Sequence, residues 1–320
     1  MDLHLLVDNL TNPALLFFFL GIIAVQLKSD LEIPPNSSKF ISLYLLLSIG
    51  FKGGQELSHS DLNFEILWSL LFGVLLAVAV PIYSYYILRR KFSVANAGAI
   101  AASYGSVSAV TFVTAISFLE IEQITFGGHM VAVMALMEAP SIIVGLLLIS
   151  FYDKYNPVKI SMSKVAKHAL TNGSVLLILG SLVVGFLASE EQAQGIKPFT
   201  TDLFKGFLAV FLLDMGITSG KKLGAFLKKG WFALIFAIIV PIINGIIVAI
   251  ISSTFTESIG NRLLFAILAA SASYIAVPAA MRLAAPKANP SLYLPMALAI
   301  TFPFNITLGM PLYLCVIQMC

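Results

Sequence analysis

Tyr104-Gly105-Ser106-Val107-Ser108-Ala109 is a run of small and hydroxyl residues inside an otherwise apolar stretch. A similar run, Ala269-Ala270-Ser271-Ala272-Ser273-Tyr274, follows 165 positions later, so that Ser106 matches Ser271 and Ser108 matches Ser273. Asn96 and Asn261 repeat at the same offset. Gly and Ser loosen a helix and Pro278 removes one backbone hydrogen bond, so both runs are expected to unwind. A helix that restarts after such a break aims free N–H groups and a positive dipole end at the gap. Two such ends with four hydroxyls suit a small oxyanion and require no arginine. The candidate substrate-binding residues are therefore Gly105, Ser106, Val107, Ser108, Ser271, Ala272 and Ser273. The plainer reading is that small residues only let membrane helices pack closely; the duplication is what argues for a site.

Two carboxylates stand mid-span, Glu138 in Leu136-Met137-Glu138-Ala139-Pro140 and Asp214 in Leu212-Leu213-Asp214-Met215-Gly216. A charge at the centre of a membrane helix costs at least about 2.5–3.5 kcal/mol, so it is kept where it faces a partner, a cavity or an ion. The chemistry this suggests is coordination of a hard monovalent cation, sodium at Glu138, by a carboxylate with carbonyl and hydroxyl oxygens. For Asp214 the alternative is pairing with Lys52 or with a hydroxyl such as Ser219. Thr301-Phe302-Pro303-Phe304-Asn305 adds a proline that breaks the helix ladder and two polar side chains. The candidate cation-binding set is Glu138, Thr301, Asn305 and Asp214, against the reading that Asn305 simply bonds a neighbouring helix at a proline kink.

A catalytic reading exists. Ser108 with His129 as base would make an intramembrane serine hydrolase. Ser108 has no following glycine, however, and the duplicate at Ser271 and Ser273 has no histidine. No enzyme is expected, and no cofactor beyond sodium as a coupling ion.

The elements that must position these groups follow from composition. Of 320 residues, 59% are hydrophobic and 11% charged, with mean hydropathy +0.95; a soluble domain has about a quarter charged. The chain reads as an all-α polytopic membrane protein with lipid as its surroundings. The net charge of +3 falls in short loops and forms no patch for nucleic acid. Met1 to Asn12 has no Lys, Arg or cleavage site and reads as the lead into a retained helix. Cys315 and Cys320 supply neither a disulfide framework nor metal-ligand spacing.

Apolar runs between charge and Pro/Gly punctuation give about ten spans, at 13–27, 38–56, 64–88, 94–118, 125–151, 170–189, 200–220, 230–254, 261–284 and 292–317. With alternate loops assigned to opposite sides, fifteen Lys and Arg collect on one side and only Lys52, Lys197, Lys205 and Arg262 on the other. That bias places both termini outside the cytoplasm. Further matches run through both halves: Leu10-Thr11-Asn12 with Leu170-Thr171-Asn172, Ser48 to Gly54 with Asp214 to Gly220, and Ser141 to Gly145 with Asn305 to Gly309. The expected organisation is a first repeat of five spans over 1–155, a cytoplasmic linker at 156–169, and a second repeat of five over 170–320. An odd number of spans per unit inverts the second relative to the first, with its fourth and ninth helices broken.

At the second Ser-x-Ser run and its continuation, Ser271-Ala272-Ser273-Tyr274-Ile275-Ala276-Val277-Pro278-Ala279-Ala280-Met281-Arg282, the chain resembles the sodium-dependent bicarbonate transporter family. So do Ala288-Asn289-Pro290-Ser291-Leu292-Tyr293-Leu294 and Ile300 to Asn305, while Gly105-Ser106-Val107-Ser108 is similar to that family's first substrate loop. The resemblance covers essentially the whole chain. It implies a ten-span protomer in a bacterial plasma (inner) membrane, with a mobile core domain and a scaffold domain, assembled as a homotrimer. It also implies elevator-like symport, with bicarbonate and sodium bound together between the broken helices. The family's best-known members carry Asp where this chain has Glu138. Their PII-like cytosolic regulator docks on the cytoplasmic face, where the short connection from Tyr152 to His168 argues against it here.

Overall fold

The computed structural model describes residues 3–60, 63–153, 167, 171–227 and 230–320, and every regular element among them is helical. Helix α1 (Leu3–Thr11) meets α2 (Pro13–Gln26) at Asn12, whose side chain accepts from Ala14 N at 2.9 Å and caps α2. Next come α3 (Pro35–Ser58) and α4 (Phe64–Leu88). The fourth apolar run forms two helices, α5 (Val94–Gly105) and α6 (Ala109–Ile121), and α7 (His129–Tyr152) completes the first half.

The second half holds α8 (Gly173–Leu187), α9 (Glu190–Lys197), a π-helical turn at Pro198–Asp202, α10 (Phe204–Leu227) and α11 (Trp231–Ile251). Then α12 (Ile259–Ala270) and α13 (Ala276–Ala284) again divide one apolar run. The last element, α14 (Pro290–Met319), carries π-helical turns at Met296–Thr301 and Asn305–Gly309 on either side of Pro303. Apart from Lys167, the expected linker at 156–169 lies outside the described residues.

Each expected span overlaps helix, yet among the described residues only six stretches, one of them α5 and α6 taken together, are long and apolar enough to cross a membrane. The physical reasons differ. α2 and α8 have 14 and 15 residues, roughly 21–23 Å at the rise of an α-helix, against about 30 Å of hydrocarbon. α3 has 24 residues but carries Lys39, Lys52 and Glu56. α12 stops after 12 residues because of the break that follows it.

The helices pack in two groups. In one, α2 lies along α10 and α3 along α8, with backbones in direct contact. A Cβ on Gly216 would stand 2.0 Å from Phe18 O, and one on Gly54 would stand 2.1 Å from Leu182 O. Such proximity is how apolar helices adhere where lipid removes the hydrophobic drive. In the other group α5 packs with α4 and α7, and α12 with α11 and α14. α5 and α12 are almost wholly buried. α4 and α11 turn stripes such as Leu67, Leu71 and Leu75, or Ile235, Ile239, Ile243 and Ile247, outward at helical spacing.

Matched polar residues tie the halves of this second group together. Ser93 and Ser258 each accept from the N–H three residues on and cap α5 and α12. Asn96 Oδ1 accepts from Asn289 N at 2.8 Å, and Asn261 Oδ1 accepts from Gly127 N at 2.7 Å.

The contact between α2 and α10 is testable. Gly216→Ala is expected to lower the thermal midpoint of the detergent-purified protein, overpacking costing about 1–3 kcal/mol. Gly180→Ala, where nothing lies within 4 Å of the added Cβ, is expected to leave it unchanged or raise it, since alanine favours a helix by roughly 0.5–1 kcal/mol. Equal shifts in the two variants would contradict the packing described.

Candidate functional site

The site begins where α5 stops. A Cβ on Gly105 would fall 2.2 Å from Pro81 Cγ and 2.5 Å from Ser141 Oγ, so the last turn of α5 closes against α4 and α7 only with glycine there. Ser106 turns extended (φ −80°, ψ 174°). Ser108 caps the restart by accepting from Thr111 N at 3.1 Å. On the other side α12 ends at Ala270, Ser271 is extended (φ −84°, ψ 168°), and helix resumes only at Ala276.

The two breaks bond each other. Ser108 N donates to Ser271 Oγ at 3.1 Å, and Ser273 N donates to Ser103 O at 2.8 Å. Ser271 Oγ in turn donates to Leu268 O at 3.1 Å, so one hydroxyl serves both segments. The carbonyls at the ends of the interrupted helices find side chains from the next span of their own half. Ser141 Oγ donates to Ala102 O at 2.9 Å and Asn305 Nδ2 to Ala270 O at 2.8 Å. These are the positions that the internal repeat aligns.

Against the breaks lies a small cavity of about 20 Å³. Val107, Ser108, Ser273, Tyr274 and Glu138 form one wall, and Ser42 of α3, Ser174 of α8 and Phe211 of α10 face them. Ala109 and Ala276, the first residues of α6 and α13, both line it, so two positive helix ends meet there. Glu138 is 7% exposed, and its Oε2 has no hydrogen-bond partner among the described residues. Two residues on, Pro140 has no N–H to give the carbonyl of Leu136.

The remaining candidates lie elsewhere. Gly105, Ser106, Ser271 and Ala272 build the breaks without lining the cavity, and Ser106 Oγ is buried without a partner among the described residues. Thr301 Oγ1 donates to Ala237 O at 2.7 Å and accepts from Tyr104 OH at 2.7 Å. Asn305, besides its bond to Ala270, accepts from Tyr313 OH at 3.3 Å. Both therefore tie α14 to its neighbours, apart from Glu138.

Asp214 accepts from Ser38 Oγ and faces a second cavity, of about 480 Å³, lined also by Lys39 and Lys221. It does not meet Lys52, which pairs with Glu120 at 3.1 Å, nor Ser219, which donates to Leu298 O. The second cavity shares Ser42, Ser174, Phe211, Tyr274 and Ile275 with the small one. A third, of about 650 Å³ and lined by Lys52, Glu120 and Lys197, shares none of its residues.

No group of three or more His, Cys, Asp or Glu able to hold a metal occurs among the described residues. A cation at Glu138 would thus rest on one carboxylate with hydroxyl and carbonyl oxygens, a donor set of the hard, weakly bound kind. His129 does not line the cavity that Ser108 lines, and Ser108 Oγ accepts from Thr111 N.

Among the described residues, then, two broken helices bond each other and the buried Glu138 lines the cavity beside them. The sequence model of the Na+-dependent bicarbonate transporter superfamily matches residues 13–318. The chain belongs to that superfamily. No curated protein matches it. Within a Na+-dependent bicarbonate transporter superfamily member, the site has contributors that sequence reasoning left out. Ser42, Ser174 and Phe211 reach the cavity through tertiary packing and carry no local signal. Tyr274 did have one: it directly follows the second Ser-x-Ser.

The bond between the breaks makes a stability prediction. Ser271→Ala leaves the buried Ser108 N–H unsatisfied and is expected to cost about 1–3 kcal/mol. Ser106→Ala removes a hydroxyl that makes no bond and is expected to change the thermal midpoint little. Equal midpoints for the two variants would contradict the reciprocal bonding.

Proposed function

We propose that this protein is a sodium-coupled symporter that imports bicarbonate, or a similarly small monovalent oxyanion, by elevator-like alternating access. The observation that carries the reading is the convergence of two helix N-termini and the buried Glu138 on one cavity at the crossing of two broken helices. The helix ends favour an anion and the carboxylate favours sodium. Each ion then improves the site for the other, a coupling that is necessarily reciprocal.

The 5+5 inverted repeat, with ten spans, belongs to this proposal. It is supported by matched contacts: between the halves, α2 with α10 answers α3 with α8 and the Asn96 bond answers that of Asn261, while within each half the Ser141 bond answers that of Asn305. In the elevator reading α4 to α7 with α11 to α14 form the moving core that carries Glu138 and both breaks. The scaffold of α2, α3, α8 and α10 supplies the facing wall, and the cavity at their junction supports that division.

The positive-inside bias puts both termini outside and the Lys39–Lys221 cavity on the cytoplasmic side of a bacterial inner membrane. The link between the small cavity and that one supports an inward-facing arrangement. Asp214 then stands on the exit path as a second, passing contact for the cation. A homotrimer is proposed on family likeness.

Ligand-dependent melting of the purified protein tests the reading, because a ligand that binds only the folded form stabilises it, by about 2.7 kcal/mol at a hundred times its Kd. Sodium with bicarbonate is expected to raise the midpoint by several degrees, and choline with bicarbonate is expected to do nothing. Glu138→Gln should melt as one folded species and lose the sodium response. Full stabilisation by bicarbonate in choline would refute sodium coupling. A response to another anion alone would replace the substrate.

A further inference from the structure

Tyr274 stands between the small cavity and the wide one lined by Asp214, and its side chain belongs to both walls. Its ring is held edge-on against the buried Phe302, with centroids 6.1 Å apart at 66°. The hydroxyl oxygen is buried beside the Ser108 hydroxyl, which is placed to donate to it, and its own hydrogen has no acceptor among the described residues. Tyr104, next to the first break, behaves differently: its hydroxyl is bonded to Thr301 at 2.7 Å.

Among the residues lining the small cavity, Glu138 Oε2 is a buried acceptor without a donor and Tyr274 OH a buried donor without an acceptor among the described residues. Their chemistry is complementary. An ionised carboxylate only accepts hydrogen bonds and attracts cations, whereas a phenol hydroxyl offers one donor. A buried donor without an acceptor is costly to leave so, and it is kept where something arrives to fill it. The serine hydroxyls of the same wall are held in place by bonds they accept, Ser108 Oγ from Thr111 N and Ser273 Oγ from Val277 N at 3.5 Å, and keep their own hydrogens as further donors.

We propose that the Tyr274 hydroxyl donates a hydrogen bond directly to the transported anion, on the side of the cavity away from the cation at Glu138. This rests on the reading above, that the cavity takes an anion together with sodium. Tyr274 then both binds and discriminates. It prefers an anion that presents an oxygen acceptor toward α13, and its position on both walls makes it the contact the anion keeps while passing to the wider cavity.

The test is uptake of labelled bicarbonate into proteoliposomes under a sodium gradient, for the full chain and for Tyr274→Phe. The variant keeps the ring and its packing on Phe302 and removes one oxygen. The bicarbonate concentration for half-maximal uptake is expected to rise about tenfold or more, as for loss of a hydrogen bond to a charged group. The maximal rate and the stabilisation by sodium alone should stay close to the original. p-Aminophenylalanine at position 274, which restores a donor, is expected to return half-saturation toward the original value.

Unchanged half-saturation in Tyr274→Phe would overturn the proposal. A lower maximal rate at unchanged half-saturation would also overturn it, leaving Tyr274 a gate and nothing more. If Tyr274→Phe is not recovered folded, infrared difference spectra of the unsubstituted protein with and without bicarbonate take its place. A shifted phenol C–O stretch supports the donor role, and no shift refutes it. Absence of sodium-driven bicarbonate uptake by the unsubstituted protein would instead remove the symport reading itself, a separate result.

Discussion

Polypeptide backbone cannot be left unwound inside hydrocarbon unless the N–H and C=O groups it frees find partners in the protein or in a wet cavity. Each break in this structure meets that constraint partly with atoms of the other and partly with the next span of its own half. Ser108 N reaches Ser271 Oγ, Ser273 N reaches Ser103 O, and Ser141 and Asn305 take the carbonyls of Ala102 and Ala270. Neither break would be stable alone at this depth. Removing one half's segment would orphan groups in the other, which is why the crossing must be built from both halves at once. Gly105 is then needed for a simple reason: Pro81 and Ser141 occupy the space a side chain would require.

The same bonds decide what remains free. Satisfying the breaks consumes Ser271, the lone pair of Ser108 that caps α6, and the polar atoms of Asn305, leaving the N-terminal ends of α6 and α13 facing a space with Glu138 and Tyr274. At about 20 Å³ that space is close to what one water needs. In the proposed function, bicarbonate with its cation would therefore enter only as Tyr274 and Ile275 part from Ser42, Ser174 and Phe211. Those facing residues come from the helices of the other group, so in the proposed elevator opening the site and sliding the groups are one movement. The Lys52–Glu120 pair, between α3 and α6 on the opposite flank, would have to part or re-form in the same step.

Much of this was legible in the amino-acid order, for identifiable reasons. Backbone breaks are local: Ser, Gly and Pro act through their own peptide groups, so residues 106–108 and 271–275 could be read directly. Cavity membership is not local. Thr301 and Asn305 in an apolar span announce that they will be satisfied but not by whom. The two π-helical turns around Pro303 change the rotational register, so no α-helical period tells which way they point. They serve Ala237, Tyr104 and Ala270 instead of Glu138. Asp214 was expected alongside Glu138 and instead faces the neighbouring cavity with Ser38. Its burial carried the signal of cost, while its partner was chosen by the packing of α3 near α10. Helix number is hidden by the same limit, because hydropathy measures a run's apolarity, whereas α2 begins only at Pro13, α8 ends at Leu187 and α12 ends at Ala270.

Charge explains why such a site would move two ions together. A helix N-terminus acts as roughly half a positive charge, so the ends of α6 and α13 together about cancel an ionised Glu138. The empty site is then near neutral. Sodium alone makes it positive and a monovalent oxyanion alone makes it negative, while both restore neutrality. Carrying a site of net charge past the low-dielectric surface of the scaffold costs several kcal/mol more than carrying a neutral one. Movement is accordingly favoured for the empty and the doubly loaded site and opposed for either singly loaded one, which is the condition a symporter must satisfy. No mobile gate or long-range relay is needed for this. It follows from one carboxylate set opposite two helix ends, and a second cation or a second carboxylate in the same cavity would undo it. That is also a physical reason for Asp214 to lie outside the small cavity, against Ser38, where its charge does not enter the balance at the crossing.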